Sequence, residues 1–325
     1  MSRNVEGSVA INFTCDPVST FRNALRNIMT GSGHFKPAAS MISATNGVGD
    51  FGFDTLASLE DRVANKEVFI TNCMELRMSK RIALVTGGTG GIGTAICQEL
   101  FNQGFTVVAG YNSGGNHDKA KGWQEEQRSA GFEFDIAYGD VSDAESARQC
   151  IEGIVERHGN IHCLVNNAGI TRDSTFRKMT LEQWDQVMHA NLRSVFNMTR
   201  LVINGMLEEK WGRVINISSV NGQKGQFGQS NYAAAKAGMH GFTKSLAQEV
   251  ASKGVTVNTV SPGYIMTAMV AAIGDEILEK IASTIPVGRL GNPDEIAYAV
   301  SFLASERAAF VTGSNLAING GQHMF

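Results

Sequence analysis

From Arg81 onward, short apolar runs alternate with longer amphipathic stretches. The runs are Ile82–Thr86, Thr106–Gly110, Phe132–Ala137, His162–Asn166, Arg213–Ser218, Val255–Val260 and Asn315–Ile318. Short, near-continuous runs of Val, Ile and Leu bounded by turn residues are the signature of strands buried on both faces. The stretches between them, such as Ile92–Gln103, carry apolar positions at helical spacing. Strands alternating with helices predict βαβ units, and hence an α/β fold with a doubly wound parallel sheet covered by helices on both faces. In such sheets ligands bind beyond the carboxyl ends of the strands.

The first seventy-odd residues break this rhythm. Thr30-Gly-Ser-Gly33 and Thr45-Asn-Gly-Val-Gly49 interrupt modest hydrophobic runs. No basic segment followed by an apolar core marks a secretory signal, and acids from Glu6 to Glu75 argue against a transit peptide. Met78-Ser-Lys-Arg-Ile reads as a natural start just ahead of the first strand. The expected organisation is an N-terminal extension over residues 1–77 and a single catalytic domain over 78–325, with a small docking module as the alternative reading of the extension.

The chain has 325 residues, enough for one large α/β domain and something more. A net charge of -3 and a pI near 6.2 make no general case for a nucleic-acid partner. The five cysteines are scattered, odd in number and without a Cys-x-x-Cys pair, which suits a reducing compartment and points to no disulfide framework or zinc site. No apolar run is long enough for a membrane span. A cytoplasmic protein is expected.

Two stretches carry candidate chemistry. Arg81-Ile-Ala-Leu-Val-Thr-Gly87-Gly-Thr-Gly-Gly91-Ile-Gly93 joins a strand to a helix through glycines. Glycine permits the tight turn, the close approach of backbone to a pyrophosphate and the close packing of helix on sheet, while the helix N-terminal amides face the anion. In Tyr232-Ala-Ala-Ala-Lys236 the phenol and the ammonium lie four residues apart, on one helix face. A neighbouring cation favours phenolate and brings an otherwise remote phenol pKa toward the working range. Either motif alone is weak: a glycine loop can be a mere turn, and Tyr-x-x-x-Lys can share a face by chance.

Together, Thr86-Gly87-x-x-x-Gly91-x-Gly93, Asn166-Asn167-Ala168-Gly169, Asn191, Ser219 and Tyr232-x-x-x-Lys236 resemble, in order and spacing, the motifs of the short-chain dehydrogenase/reductase family. The resemblance covers Lys80 to Phe325 and implies a seven-stranded Rossmann fold and a homotetramer. It assigns Tyr232 as general acid, Ser219 as the hydrogen-bond donor to the reacting carbonyl, Lys236 as the group that stabilises the phenolate, and Asn191 as the holder of a relay water. It implies a cofactor surface made by Gly87, Thr89, Gly90, Gly91, Ile92, Gly93, Asn112, Gly139, Asp140, Asn167, Ala168, Gly169, Ile170, Thr171, Tyr232, Lys236, Pro262, Gly263 and Ile265. Taken singly, Ser219 could cap a turn, Asn191 satisfy a helix kink, Tyr232 be a half-buried ring and Asp140 a turn residue.

The cofactor implied is NADPH. The end of the second strand, Val107–Asn112, lacks the acid that grips a ribose 2′-OH and repels a 2′-phosphate. Asn112 and Ser113 can donate to a phosphate, and Lys119 and Lys121 follow. The arginines common in this loop of related reductases are replaced by an insertion, Gly114-Gly-Asn-His117.

Within the family, Ile170–Met179, Asn216–Gln229 and the end Asn319–Phe325 resemble the acetoacetyl-CoA reductases, which make (R)-3-hydroxybutyryl-CoA for polyhydroxybutyrate synthesis. That likeness places Asp173, Gln226, Phe227, Gln229, Gly263 and Tyr264 around a short 3-oxoacyl thioester; a solvated loop is the other reading of the glutamines. Arg172, Arg177 and Lys178 near the mouth suit the phosphates of coenzyme A and an acidic acyl carrier protein alike. The alternative activity is therefore 3-oxoacyl-(acyl carrier protein) reduction, a group that usually carries Ala-Ser/Asn-Arg where this chain has Gly88-Thr89-Gly90. Ser261–Thr267 and the Ala/Met-rich segment after it read as a lid, or as a plain connecting helix.

Overall fold

The computed structural model describes residues 81–324 apart from Ile273, so the expected extension 1–77 and its boundary at Met78 lie outside the described residues. The elements run β1 (Ile82–Val85), α1 (Gly91–Asn102), β2 (Thr106–Tyr111), α2 (His117–Ser129), β3 (Asp135–Tyr138), α3 (Ala144–His158), β4 (Ile161–Asn166), α4 (Leu181–Met188), α5 (Ser194–Glu208), β5 (Gly212–Ile217), α6 (Asn221–Lys224), α7 (Ser230–Val250), β6 (Val255–Pro262), α8 (Ala268–Ala271), α9 (Asp275–Ser283), α10 (Pro293–Ala304) and β7 (Asn315–Ile318). The sheet has seven parallel strands in the order β3-β2-β1-β4-β5-β6-β7.

Alternate residues of β1 and β2 enter different cores. Ala83, Val85, Val107 and Ala109 pack against Ile96, Leu100, Ile296 and Val300 of α1 and α10. Ile82, Leu84 and Val108 pack on the opposite side against Ile151, Met198, Val202 and Ala247 of α3, α5 and α7. Fully burying such a side chain stabilises by about 1.5–3 kcal/mol, which is why both strand faces are apolar. The order reverses direction between β1 and β4, and that switch point is where a crevice opens at the carboxyl ends.

All seven expected strands form, with shifted edges. The largest shift is in β3, expected from Phe132 and found from Asp135. Phe132 and Phe134 instead meet Phe101 edge-on, each with ring centroids 5.8 Å apart, and Phe134 stacks on Trp123. Aromatic packing takes those residues out of the ladder. At the start of β4 the pairing with β1 shifts by one residue, and His162 Nδ1 accepts the Ile82 amide at 3.0 Å in place of a ladder carbonyl.

Candidate active site

The glycine loop leaves β1 at Thr86 and closes against β4. Gly87 has φ +63°, a left-handed turn that favours glycine. A Cβ on Gly88 would come within 2.8 Å of Ala109 Cα, and one on Gly93 within 2.9 Å of Gly88 Cα and against the Gly87 carbonyl. These glycines fit close packing of helix on strand. No side chain caps α1 at Gly90 and no acid sits in its first turn, so its leading amides are available to an anion. The loop therefore fits a dinucleotide pyrophosphate.

Asn167 braces this loop instead of only lining it. Its Nδ2 donates to the Thr86 and Gly87 carbonyls at 2.9 and 3.2 Å. The amides of Asn167 and Ala168 both donate to Thr86 Oγ1 at 3.0 Å. Beneath, Asn166 Nδ2 donates to Asn216 Oδ1, Asn216 Nδ2 to Thr243 Oγ1, and Thr259 Oγ1 to the same Thr243 oxygen, at 2.8, 2.9 and 2.8 Å. These buried amides and hydroxyls satisfy one another, as burial demands.

Two cavities adjoin along the strand ends. One of about 590 Å³ is lined by Ile92, Asn167, Gly169, Ile170, Thr171, Ser219, Gln229, Tyr232, Lys236, Pro262, Gly263, Tyr264 and Ile265. The other, about 230 Å³, is lined by Gly87, Asn112, Gly139, Asp140, Ala168, Gly169 and Ile170. Gly169 and Ile170 line both. Thr89 and the exposed Gly90 and Gly91 form the crest of the loop, and Gly93 is buried beneath it. Thr267, at the start of α8, covers that crest: a Cβ on Gly91 would lie 3.0 Å from its methyl.

Tyr232 and Lys236 face the larger cavity from α7. Ser219 Oγ accepts the Asn221 amide at 3.1 Å and is hydrogen-bonded to Tyr232. Burial raises the Tyr232 pKa above that of a free phenol; the Ser219 bond opposes this and Asp173 reinforces it. The expectation that Lys236 lowers it is not what the structure shows. Lys236 Nζ stands 5.6 Å from the Tyr232 ring centre and donates to the Ile217 carbonyl at 2.7 Å. Burial brings the Lys236 pKa down to about 7. The two groups are held close, but desolvation, not their attraction, dominates both.

Asn191 sits in a π-helical turn, His189–Arg193, between α4 and α5. Its Nδ2 donates to the Ile170 and Val187 carbonyls at 2.8 and 2.9 Å. Its Oδ1 is buried, accepts nothing from the described protein atoms, and faces Gly169. A Cβ on Gly169 would press on that oxygen and lie 3.5 Å from Lys236 Nζ. The π turn and the inward-facing acceptor thus coexist in one residue.

Asp140 Oδ1 accepts from Ser142 N and Oγ at 2.9 and 2.6 Å, so its carboxylate closes a turn at the rim of the smaller cavity. The insertion after β2 is shorter in effect than its sequence: Ser113–Gly115 make one tight turn, and Asn116 already caps α2 through the Lys119 amide at 3.0 Å. His117 is folded back, its Nδ1 2.9 Å from Tyr111 Oη. Lys119 and Lys121 are exposed on α2.

The expected substrate residues divide. Gln229 and Tyr264 reach the cavity with Gly263. Gln229 is held at both ends, donating to Asp173 Oδ2 at 2.8 Å and accepting from Asn221 Nδ2 at 2.9 Å. Gln226 instead accepts from Lys224 Nζ at 3.2 Å, and Phe227 is 86% exposed, neither lining the cavity. The loop turns at Gly225 and Gly228, φ 75° and 78°, which leaves its apex in solvent. Sequence reasoning missed Asn231, buried beside Tyr232. Its Oδ1 accepts the Tyr232 amide at 2.8 Å, while its Nδ2 donates to the Arg172 and Gln183 carbonyls at 3.1 and 3.2 Å. An asparagine at the start of a helix was the only signal.

A family model described as enoyl-(acyl carrier protein) reductase matches residues 87–323. The acetoacetyl-CoA reductase of Cupriavidus necator is 57% identical over 247 residues, 76% of this chain and 100% of the relative. That of Allochromatium vinosum is 54% identical over 75% of this chain and 99% of the relative. The 3-oxoacyl-[acyl-carrier-protein] reductase of Vibrio cholerae is 44% identical over 77% of this chain and 100% of the relative. With its parallel sheet, glycine loop and paired tyrosine and lysine, the chain belongs to the short-chain dehydrogenase/reductase family, oxidoreductases that use a nicotinamide cofactor.

Proposed function

We propose that the protein reduces acetoacetyl-CoA to (R)-3-hydroxybutyryl-CoA with NADPH, supplying polyhydroxybutyrate synthesis. The observation that carries this reading is the cavity in which Ser219, Tyr232 and Lys236 converge beside Gln229 and Tyr264. The higher identity to acetoacetyl-CoA reductases than to the carrier-protein enzyme supports the thioester, 57% against 44%.

The cofactor, when bound, supplies the hydride. Ser219 Oγ donates to the ketone oxygen, a bond that strengthens as negative charge grows there. Tyr232 delivers its phenolic proton to the same oxygen, and its raised pKa keeps that proton in place until it is needed. Lys236 is the amine beside the phenolate left behind, 5.6 Å from its ring, and Asn191 Oδ1 holds a water that links Lys236 to solvent. Gln229 and Tyr264 wall the acyl chain. Asn112 with α2 receives the 2′-phosphate: no carboxylate lies in β2 or the turn after it to repel one. Thr267 and α8 close over the glycine loop as a lid.

Residues 78–325 form the catalytic domain and 1–77 an extension outside it, in keeping with relatives that this chain matches over their full length with 76% of its own. The enzyme acts in the cytoplasm as a homotetramer; exposed Phe196 on α5 and Tyr298 and Phe302 on α10 supply apolar faces for subunits. Among the described residues no helix is long and apolar enough to cross a membrane.

The test is a side-by-side assay of acetoacetyl-CoA and an acetoacetyl-acyl carrier protein, each with NADPH and NADH. The reading requires the highest kcat/KM with acetoacetyl-CoA and NADPH. Turnover of the carrier-protein thioester alone would replace it with the fatty-acid synthesis reaction.

A further inference from the structure

Residues 232, 236 and 240 follow one another on α7 at helical spacing, so His240 continues the stripe of Tyr232 and Lys236. Its Nε2 lies 3.0 Å from Ser218 Oγ, just past β5, and 3.3 Å from Ser261 Oγ on β6. Both serines are buried. Ser218 Oγ donates its proton to the main-chain carbonyl of Lys236 at 2.9 Å. With that proton committed, the serine oxygen meets the imidazole only as an acceptor, so Nε2 carries the ring proton. Burial, with Lys244 nearby, lowers the His240 pKa and favours this neutral form.

The network ties Lys236 to the end of β5 twice: its ammonium donates to the Ile217 carbonyl, and its own carbonyl accepts from Ser218. Ser218 immediately precedes Ser219. Its amide also donates to the Val260 carbonyl at 2.7 Å, so its hydroxyl is held from both sides, by β6 through the chain and by His240 through the side chain. Met239, Thr243, Ala247 and Val250 already bury α7 against the sheet. A leucine at 240 would fill space there without a ring nitrogen to satisfy. What an imidazole adds is a directed bond to the residue that joins Ser219 to Lys236.

We propose that His240 is a positioning residue for proton transfer, holding Ser218 so that Ser219 and the Lys236 turn of α7 keep their spacing from Tyr232. This rests on the roles proposed above for Ser219, Tyr232 and Lys236. If Tyr232→Phe keeps a native rate, that reading fails, whatever His240 does.

The experiment compares His240→Leu, His240→Gln, Ser218→Ala and the double variant His240→Leu/Ser218→Ala in the full chain with NADPH and acetoacetyl-CoA. Small misplacements of catalytic groups are costly, so His240→Leu is expected to lose about tenfold in kcat, with KM and NADPH affinity unchanged. The basic limb of its kcat profile moves to higher pH as Ser219, which lowers the Tyr232 pKa, loosens from the phenol. His240→Gln, whose amide can donate to Ser218, recovers most of the rate. Ser218→Ala shows the same loss, and the double variant is no worse than either single one. A native kcat and pH profile in His240→Leu would overturn the proposal. So would a His240→Gln no better than His240→Leu, or losses that track the midpoint of thermal unfolding. If His240→Leu does not fold, a fast His240→Gln beside a slow Ser218→Ala upholds it, and equal rates in those two overturn it.

Discussion

The Lys236 ammonium nitrogen stands 5.6 Å from the centre of the Tyr232 ring, yet its hydrogen bond goes to the Ile217 carbonyl at 2.7 Å. The lysine is held in place by the sheet and not by the phenol beside it. The phenol in turn is bonded to Ser219. Tyrosine and lysine are therefore anchored by different partners.

Tyr232→Phe keeps the ring and deletes the proton. Losing a positioned general acid costs about 10²–10⁴ in rate, so kcat is expected to fall by that much. NADPH affinity, followed by fluorescence titration, stays as in the native enzyme. A variant that turns over at the native rate would remove Tyr232 from the acid role.

Lys236→Met tests the cost of a buried cation. Its pKa lies near 7, well below the unfolded value of 10.5. Below pH 7 both states hold the proton and the penalty is at its full size; as pH rises from 7 toward 10.5 the unfolded chain alone stays charged, and the penalty fades. Lys236→Met should thus be inactive but more stable than the native protein at pH 7, on the order of a few kcal/mol. The difference should narrow toward pH 10 in thermal unfolding. An equal gap at both pH values would contradict the assigned shift.

Gly93→Ala and Gly122→Ala should have opposite signs. A methyl on Gly93 meets the Gly87 carbonyl and lies 3.0 Å from Asn167 Nδ2, atoms of a braced loop that cannot retreat. Overpacking of this kind costs about 1–3 kcal/mol, and NADPH binding is expected to weaken with it. Gly122 in α2 has open space around its Cβ position. Alanine there is expected to stabilise by about 1 kcal/mol through helix propensity, with binding unchanged. Denaturant unfolding and cofactor titration read both.

A chain beginning at Met78 should be fully active. The family model's match begins at Gly87, and the Cupriavidus necator relative is covered over 100% of its length by 76% of this chain. An insoluble or slow truncation would show that the extension contributes to the enzyme.

The strands, the glycine loop and the tyrosine–lysine pair were legible because local patterns encode them: apolar runs, glycines between strand and helix, a four-residue helical spacing. The chain could not announce that Thr86 accepts the amides of Asn167 and Ala168, because that contact joins residues some eighty positions apart. Nor could Asn231 be distinguished from an ordinary helix-start asparagine before its bonds to Arg172 and Gln183 were known. Phe132 and Phe134 read as strand because aromatic residues favour strands, and only the position of Phe101 and Trp123 overrides that preference. The Tyr232 pKa went the other way because burial, which no spacing reveals, outweighs a neighbouring charge.

The buried row of Asn166, Asn216 and Thr259 has a consequence for how the sheet is assembled. These residues are direct partners across β4, β5 and β6. Valine and isoleucine tolerate a strand sliding by two positions, since one apolar side chain replaces another. A carboxamide does not: a slip would strand a buried amide without a partner, at about 1–3 kcal/mol for each group left unpaired. The row therefore acts as a proofreading device. It penalises every misaligned assembly of the three strands, so the loops that leave their ends, bearing Asn167, Ser219 and Gly263, emerge at matched heights around one cavity.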